Sequence, residues 1–154
     1  MRYKFCMTEV ALSLGAQTLT LSVGGTQHLL PTGIEALAAS FGHRIPSALA
    51  LENAIAEVED AIMPAAKLLP EQHHSLSGAD PLLLQVIHSA TANPQATTVS
   101  RDAIETLFSA LARQAERPGY ADAQIPQTPE FAAALLVLRE CMHHWGFAQL
   151  QVLT

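Results

Sequence analysis

Charge is what this chain has least of. Asp, Glu, Lys and Arg make up 14% of its 154 residues, against about 25% in an ordinary soluble domain, and lysine occurs only as Lys4 and Lys67. Fourteen acidic residues outnumber eight basic ones, for a net charge of −6. That balance argues against nucleic acid and against an anionic membrane as partners. Aromatics are scarce too, at 5%, and Tyr120, Trp145 and Phe147 are too separated to make a base-stacking surface. The only cysteines are Cys6 and Cys141, which excludes a disulfide scaffold. Without a CxxC word, both are expected to be free thiols that pack as small hydrophobes.

Long apolar runs are missing as well. The longest is Phe131 to Leu138, far short of the roughly 18 residues a membrane span needs. At the N-terminus, Thr8 and Glu9 interrupt the apolar region a secretory signal requires. A cytoplasmic location is therefore expected. HExxH, an EF-hand loop, a Walker or dinucleotide glycine loop and a GxSxG elbow are all absent. Ser occurs beside His at His74-Ser75 and His88-Ser89, but adjacency in sequence is not triad geometry. No cofactor and no catalytic residue are predicted on these grounds.

What the chain does have is apolar mass, at 49%, enough for a core without staples. Residues 1–154 are expected to form a single α+β domain. Val10, Leu12 and Leu14, then Leu19, Leu21 and Val23, alternate about Gly15-Ala16 as a hairpin does. Tyr3, Phe5 and Met7 alternate in the other parity, which places a bulge or break near Thr8. Thr26 to Leu30 suits a third strand. From Pro31 the period changes to that of a helix. Ile34, Leu37, Ala38 and Phe41 form one stripe closed by Gly42. A longer helix follows, with Pro46 in its first turn and a break near Pro64. Pro70 to Ala79 reads as a polar loop. Asp80-Pro81 then opens a helix through Leu82–His88, although a buried strand is the rival reading there. Ala90 to Thr98 reads as a loop, and Ser100 caps the next helix with Val99 and Ile104 as a staple. Thr128-Pro129-Glu130 starts the last helix, which stops at Gly146. Phe147 to Leu153 closes the chain as a strand expected beside the hairpin. The predicted architecture is a small antiparallel sheet with four or five helices packed on it.

Seven histidines invite a search for sites. Glu71-Gln72-His73-His74 and Glu140-Cys141-Met142-His143-His144 each contain Glu-x-x-His, the i, i+3 word of carboxylate-bridged metal bundles. His73, His74, His143 and His144 are the candidate metal ligands. On a helical wheel Phe131, Leu135, Leu138, Met142 and Trp145 fall within about 40° of one line, and Glu140 lies about 180° away, which points it outward. Leu136 and Val137 also lie far from that line, so the first half of this helix is apolar all round. A second layer of helices or a second subunit must cover it.

The candidate anion or small-ligand residues are His43, Arg44, His88 and Arg101. His43 and Arg44 precede a helix start, Arg101 follows the Ser100 cap, and His88 is expected to be desolvated on its apolar segment. Weighed together, low charge, the all-round apolar helix and the missing catalytic words favour a homo-oligomeric interaction or structural module without catalysis, a dimer first, with a protein partner as its business. The alternative is a small-ligand or anion-binding protein, an enzyme included, with a pocket between sheet and helices. A third reading is a metal protein built on the clustered histidines.

Overall fold

The computed structural model describes residues 8–73 and 75–153. Six strands form one mixed sheet in the order β3-β2-β1-β4-β6-β5: β1 Val10–Leu14, β2 Leu19–Val23, β3 Thr26–Leu30, β4 Ser75–Gly78, β5 Thr98–Ser100 and β6 Gln149–Val152. The hairpin pairs as its alternation demands, with Leu12 opposite Leu21 and Leu14 opposite Leu19. β1 runs parallel to β4, and β4 parallel to β6. Among the described residues the helices are α1 Ile34–Ser40, α2 Ala48–Ile62, α3 Pro81–Thr91, α4 Arg101–Ala115 and α5 Pro129–Trp145, with a 3-10 segment Met63–Leu68 after α2. None is long and apolar enough to cross a membrane.

The helix ends are where the residue types put them. The Oγ atoms of Ser47 and Ser100 accept the N–H groups of Ala50 and Ala103, and Oγ1 of Thr128 accepts that of Phe131. Each bond satisfies a donor that the first helical turn cannot. α5 stops at Gly146, whose φ of 75° is left-handed. Pro64 ends α2 as a regular helix by withholding an N–H, and the chain tightens into the 3-10 segment. Pro46 stands before the Ser47 cap rather than inside the first turn.

Two strands escaped the sequence reading, and they change the sheet. Ser75–Gly78 is a strand inside the stretch expected to be a loop, and it lies between the hairpin and the terminal strand. β6 is therefore not beside the hairpin, and the sheet is mixed rather than small and antiparallel. β4 carries only Leu76 toward the core together with Gly78, so it has no apolar alternation to read. Gly78 is obligatory there, since a Cβ would sit 2.9 Å from the Leu12 carbonyl oxygen and against the Leu83 side chain. β5 is three residues long, below the length at which period 2 can be recognised. Leu82–His88 is helical, as the Asp-Pro start required. The expected alternation of Tyr3, Phe5 and Met7, and Cys6, lie outside the described residues.

One face of the sheet faces the core through Val10, Leu12, Leu19, Leu21, Leu76 and Leu150, all buried. The other face carries mostly small and uncharged polar side chains, with Leu29 of β3 exposed on it; one complete row runs Gln27, Ser22, Ala11, Ser77, Gln151 and Thr98 across all six strands. The helical layer is organised around α5, which contacts α1, α2, α3 and α4. Every residue from Phe131 to Leu138 has 0% exposure. The cover that its all-round apolarity demanded is thus supplied within the chain.

This arrangement sets a stability test. Leu136→Ala, on the face a half-buried helix would leave in water, should cost about 2–5 kcal/mol, as much as Leu135→Ala on the opposite side. Urea unfolding of the two variants measures this; a Leu136 effect below about 0.5 kcal/mol, typical of surface positions, would contradict the packing.

Candidate functional site

In open sheets with parallel strands, ligands bind beyond the carboxyl ends of the strands, where the chain direction splits. Here β1, β4 and β6 point the same way, and the split falls between β1 and β4. Asp80, the residue before α3, aims its carboxylate across this point and accepts the Leu14 N–H at 3.1 Å instead of capping its own helix. The hairpin turn is held down as well, because the Gly15 and Ala16 carbonyls accept the first N–H groups of α1. Next to these contacts a cleft of about 290 Å³ remains at the crevice, lined by Leu12, Ser13, Gly78, Asp80 and Leu153.

A larger cavity, of about 700 Å³, opens where the loop between α1 and α2 meets the loop between α4 and α5. Arg44 and Arg117 line it, with Ser47, Gln114, Tyr120 and Gln127, and no Asp or Glu is among its lining residues. Two of the eight cations of an acidic protein thus stand in a site without a counter-ion. Neither arginine is ion-paired among the described residues. Arg117 stacks over Tyr120, 5.7 Å from the ring centroid. Behind the cavity the two glutamine amides pair reciprocally: Gln114 Nε2 donates to Gln127 Oε1 at 3.1 Å and Gln127 Nε2 donates to Gln114 Oε1 at 2.9 Å. Gln114 Oε1 also accepts the Asp122 N–H at 2.7 Å. This amide pair, with Gln114 buried and Gln127 exposed, ties together the two ends of the loop that carries Arg117 and Tyr120. On the opposite wall Gly42 and His43 both take left-handed φ values, 75° and 57°, and turn the chain so that Arg44 faces inward.

Of the four residues expected to bind a ligand, only Arg44 lines this cavity. His43 is exposed on the turn beside it. His88 is half-buried rather than desolvated, and it lines a separate cleft of about 440 Å³ with Asp80 and Pro94. Arg101 begins α4 on the far side, where its N–H bonds the Ala148 carbonyl. The structure does not bring the four together. The Arg44–Arg117 cavity lies among helix ends rather than between sheet and helices, where a cleft of about 580 Å³ is lined by β3 together with α2 and the 3-10 segment. Arg117 was missed: nothing local marks it, and its partner Arg44 is remote in sequence.

The two histidine words fare differently. His73 is tied to backbone carbonyls through both ring nitrogens, to Pro70 at 2.8 Å and to Trp145, with its ring against Phe147. His74 lies outside the described residues. His143 is mostly exposed and stands 3.8 Å from Glu105. His144 is engaged: its Nε2 is 3.1 Å from Glu59 Oε2 and 3.4 Å from Glu140 Oε2. Glu140 itself corrects the wheel. It lies opposite the sheet-facing line, yet it is 1% exposed because α2 and α4 cover that side. Arg139 holds Glu105 at 3.1 Å and Glu140 at 3.4 Å. Burial pushes the Glu140 carboxyl above its ordinary range, and neighbouring Glu59 and Glu105 add to this against the opposing pull of Arg139 and His144. Burial raises the Cys141 thiol well above the usual value, so this free cysteine is inert packing, as expected.

No protein-family model matches the chain, and no curated protein matches it in sequence. Solved structures do match. The chain is similar to the Aquifex aeolicus PPX-GPPA enzyme, with a TM-score of 0.70 at 13% identity over 95% of this chain and 53% of that one. It is similar to an exopolyphosphatase-like protein, with a TM-score of 0.69 at 9% identity over 95% and 54%. An exopolyphosphatase from Cytophaga hutchinsonii gives 0.65 at 14% identity over 96% and 53%. The chain spans about half the length of these structures. These likenesses overturn the expectation of a homo-oligomeric, protein-binding module without catalysis, because the fold is one found in phosphatases. One of the grounds of that expectation has also gone, since the apolar helix is covered by the chain's own α1 to α4.

The Glu140 environment predicts a pH effect. A carboxyl raised in the folded state binds its proton more tightly there, so stability falls as pH climbs from the unfolded carboxyl's range toward the folded one. Glu140→Gln should therefore match the wild type near pH 4 and melt higher than it at pH 7–8. Thermal melts across that range, in a chelator-containing buffer, measure the difference; a wild type that gains on the variant with rising pH would refute it.

Proposed function

We propose that this chain binds a phosphate-bearing anion in the Arg44–Arg117 cavity, as the substrate-binding part of a phosphatase-like enzyme acting on phosphoanhydride chains. The observation that carries the reading is the pair of unpaired guanidinium groups lining an acid-free cavity in a protein of net charge −6. The likeness to exopolyphosphatases supports it. The class of substrate follows from the chemistry. Guanidinium forks bind phosphate oxygens through paired, charge-assisted hydrogen bonds. Phosphoryl transfer spreads charge over the equatorial oxygens, and catalysis of it is mostly positioning and electrostatic stabilisation. Arg44 and Arg117 supply both, from opposite walls, with the hydroxyls of Ser47 and Tyr120 as neutral donors.

Isothermal titration with inorganic tripolyphosphate, against sulfate at matched ionic strength, tests the reading. One site per chain is expected. A hydrogen bond to a charged group is worth about 1.5–3 kcal/mol, so Arg44→Ala and Arg117→Ala should each weaken binding about 10- to 100-fold. His43→Ala should change it less than about twofold, because His43 stands outside the cavity. Tripolyphosphate binding no tighter than sulfate, or insensitive to both arginine variants, would refute the assignment.

A further inference from the structure

A second cluster lies well away from the cavity. Glu59 from α2, with Glu140 and His144 from α5, each present one donor atom, and the three atoms lie within 4.8 Å of one another. The two measured separations from His144 Nε2, 3.1 and 3.4 Å, are close to the spacing of about 3.3 Å between ligands that sit 2.0–2.1 Å from a tetrahedral ion. Hydrogen bonding within the cluster accounts for only part of it. Glu140 Oε1 is fully buried and has no hydrogen-bond partner among the described residues. An orphaned carboxylate oxygen of this kind is costly unless something outside the chain's own donors meets it. The local charge points the same way: Glu105 and Glu140 share the Arg139 guanidinium, and the ion-pair partner of Glu59 among the described residues is His144. Glu59 and His144 remain 33% and 23% exposed, which leaves an entry path and room for water ligands.

We propose that Glu59, Glu140 and His144 bind one divalent ion of the zinc type. One imidazole and two carboxylates form an N/O donor set that suits zinc and its neighbours better than calcium. The ion ties α2 to α5. Glu140 sits about three helical turns along α5 from the end that meets the cavity, so this ion acts on stability and does not touch the anion. His143, one residue away, is not a ligand.

The test uses untagged full chain, stripped with chelator and titrated with Zn²⁺ against a chromophoric competitor, with Co²⁺ as the spectroscopic reporter. One ion per chain is expected, with a visible d–d absorption for Co²⁺ and a rise in melting temperature with Zn²⁺, since a ligand of the folded state stabilises it. Glu59→Gln and His144→Ala should each weaken Zn²⁺ binding at least about tenfold, the size of effect seen even for residues that only support a ligand. His143→Ala should leave it within about twofold. Glu59→Gln alters a partly exposed side chain and keeps the test open should a change at Glu140 prevent folding. Failure to take up an equivalent of Zn²⁺, or uptake that Glu59→Gln and His144→Ala leave unchanged, overturns the proposal. Neither result bears on tripolyphosphate binding.

Discussion

A helix whose first half has no side left to water governs this structure. α5 presents Phe131 to Leu138 to protein on every side, and a stretch of that kind is stable only if other elements surround it. The sheet can cover one side. The remaining sides need α1 through α4, each of which must offer an apolar stripe of its own, and each does: Leu37 and Ala38, Leu51 and Val58, Val86 and Ile87, Leu107 and Leu111 are buried against it or beside it. The low charge of the sequence follows from this demand. Helices that face a buried helix have little outer surface for Lys and Glu, and the sheet's second face is filled with Ser, Thr and Gln instead of charge. Thin charge therefore accompanies a helical layer that the chain covers by itself.

Against that background the charges that exist become informative. Most acids are scattered over exposed positions, where they do little beyond solvation. Two departures stand out. Arg44 and Arg117 lie where no acid faces them, and Glu140 lies where no water reaches it. The buried Glu140 costs free energy in isolation through desolvation, whereas the two exposed arginines stay hydrated and gather positive charge in one place. A bound anion matches the arginines and a bound cation the carboxylate. Both readings rest on the same rule, that an unmatched charge held in place by rigid neighbours calls for a partner.

Legibility in the sequence followed period and length. The hairpin, α1 and the caps at Ser100 and Thr128 were readable because alternation, stripe and cap chemistry are local signals. β4 was not, since Ser75-Leu76-Ser77-Gly78 offers one apolar residue and the need for Gly78 arises only from Leu12 and Leu83 across the fold. The wheel gave the direction of Glu140 correctly but could not say what lay in that direction. Without the covering α2 and α4, outward means solvent; with them, it means a buried carboxylate. Arg44 was reachable as a cation at a helix entrance. Its pairing with Arg117 was not, because that juxtaposition depends on how α4 returns past the α1–α2 loop.

The two proposed sites also share an electrostatic logic. α2 and α5 run side by side in the same direction: Ser47 and Gln127, just before their starts, line the same cavity, and at their ends Trp145 Nε1 donates to the Ile62 carbonyl at 3.0 Å. Parallel neighbours place like poles together, each helix carrying roughly half a positive charge at its start and half a negative one at its end. The starts lie toward the two arginines, which deepens the preference of the cavity for an anion. The ends lie toward Glu59, Glu140 and His144, which deepens the preference of that cluster for a cation. An antiparallel pair would have cancelled both fields. The parallel course of α2 and α5, set by the burial of α5, thus favours ligands of opposite sign at the two ends of one helix pair.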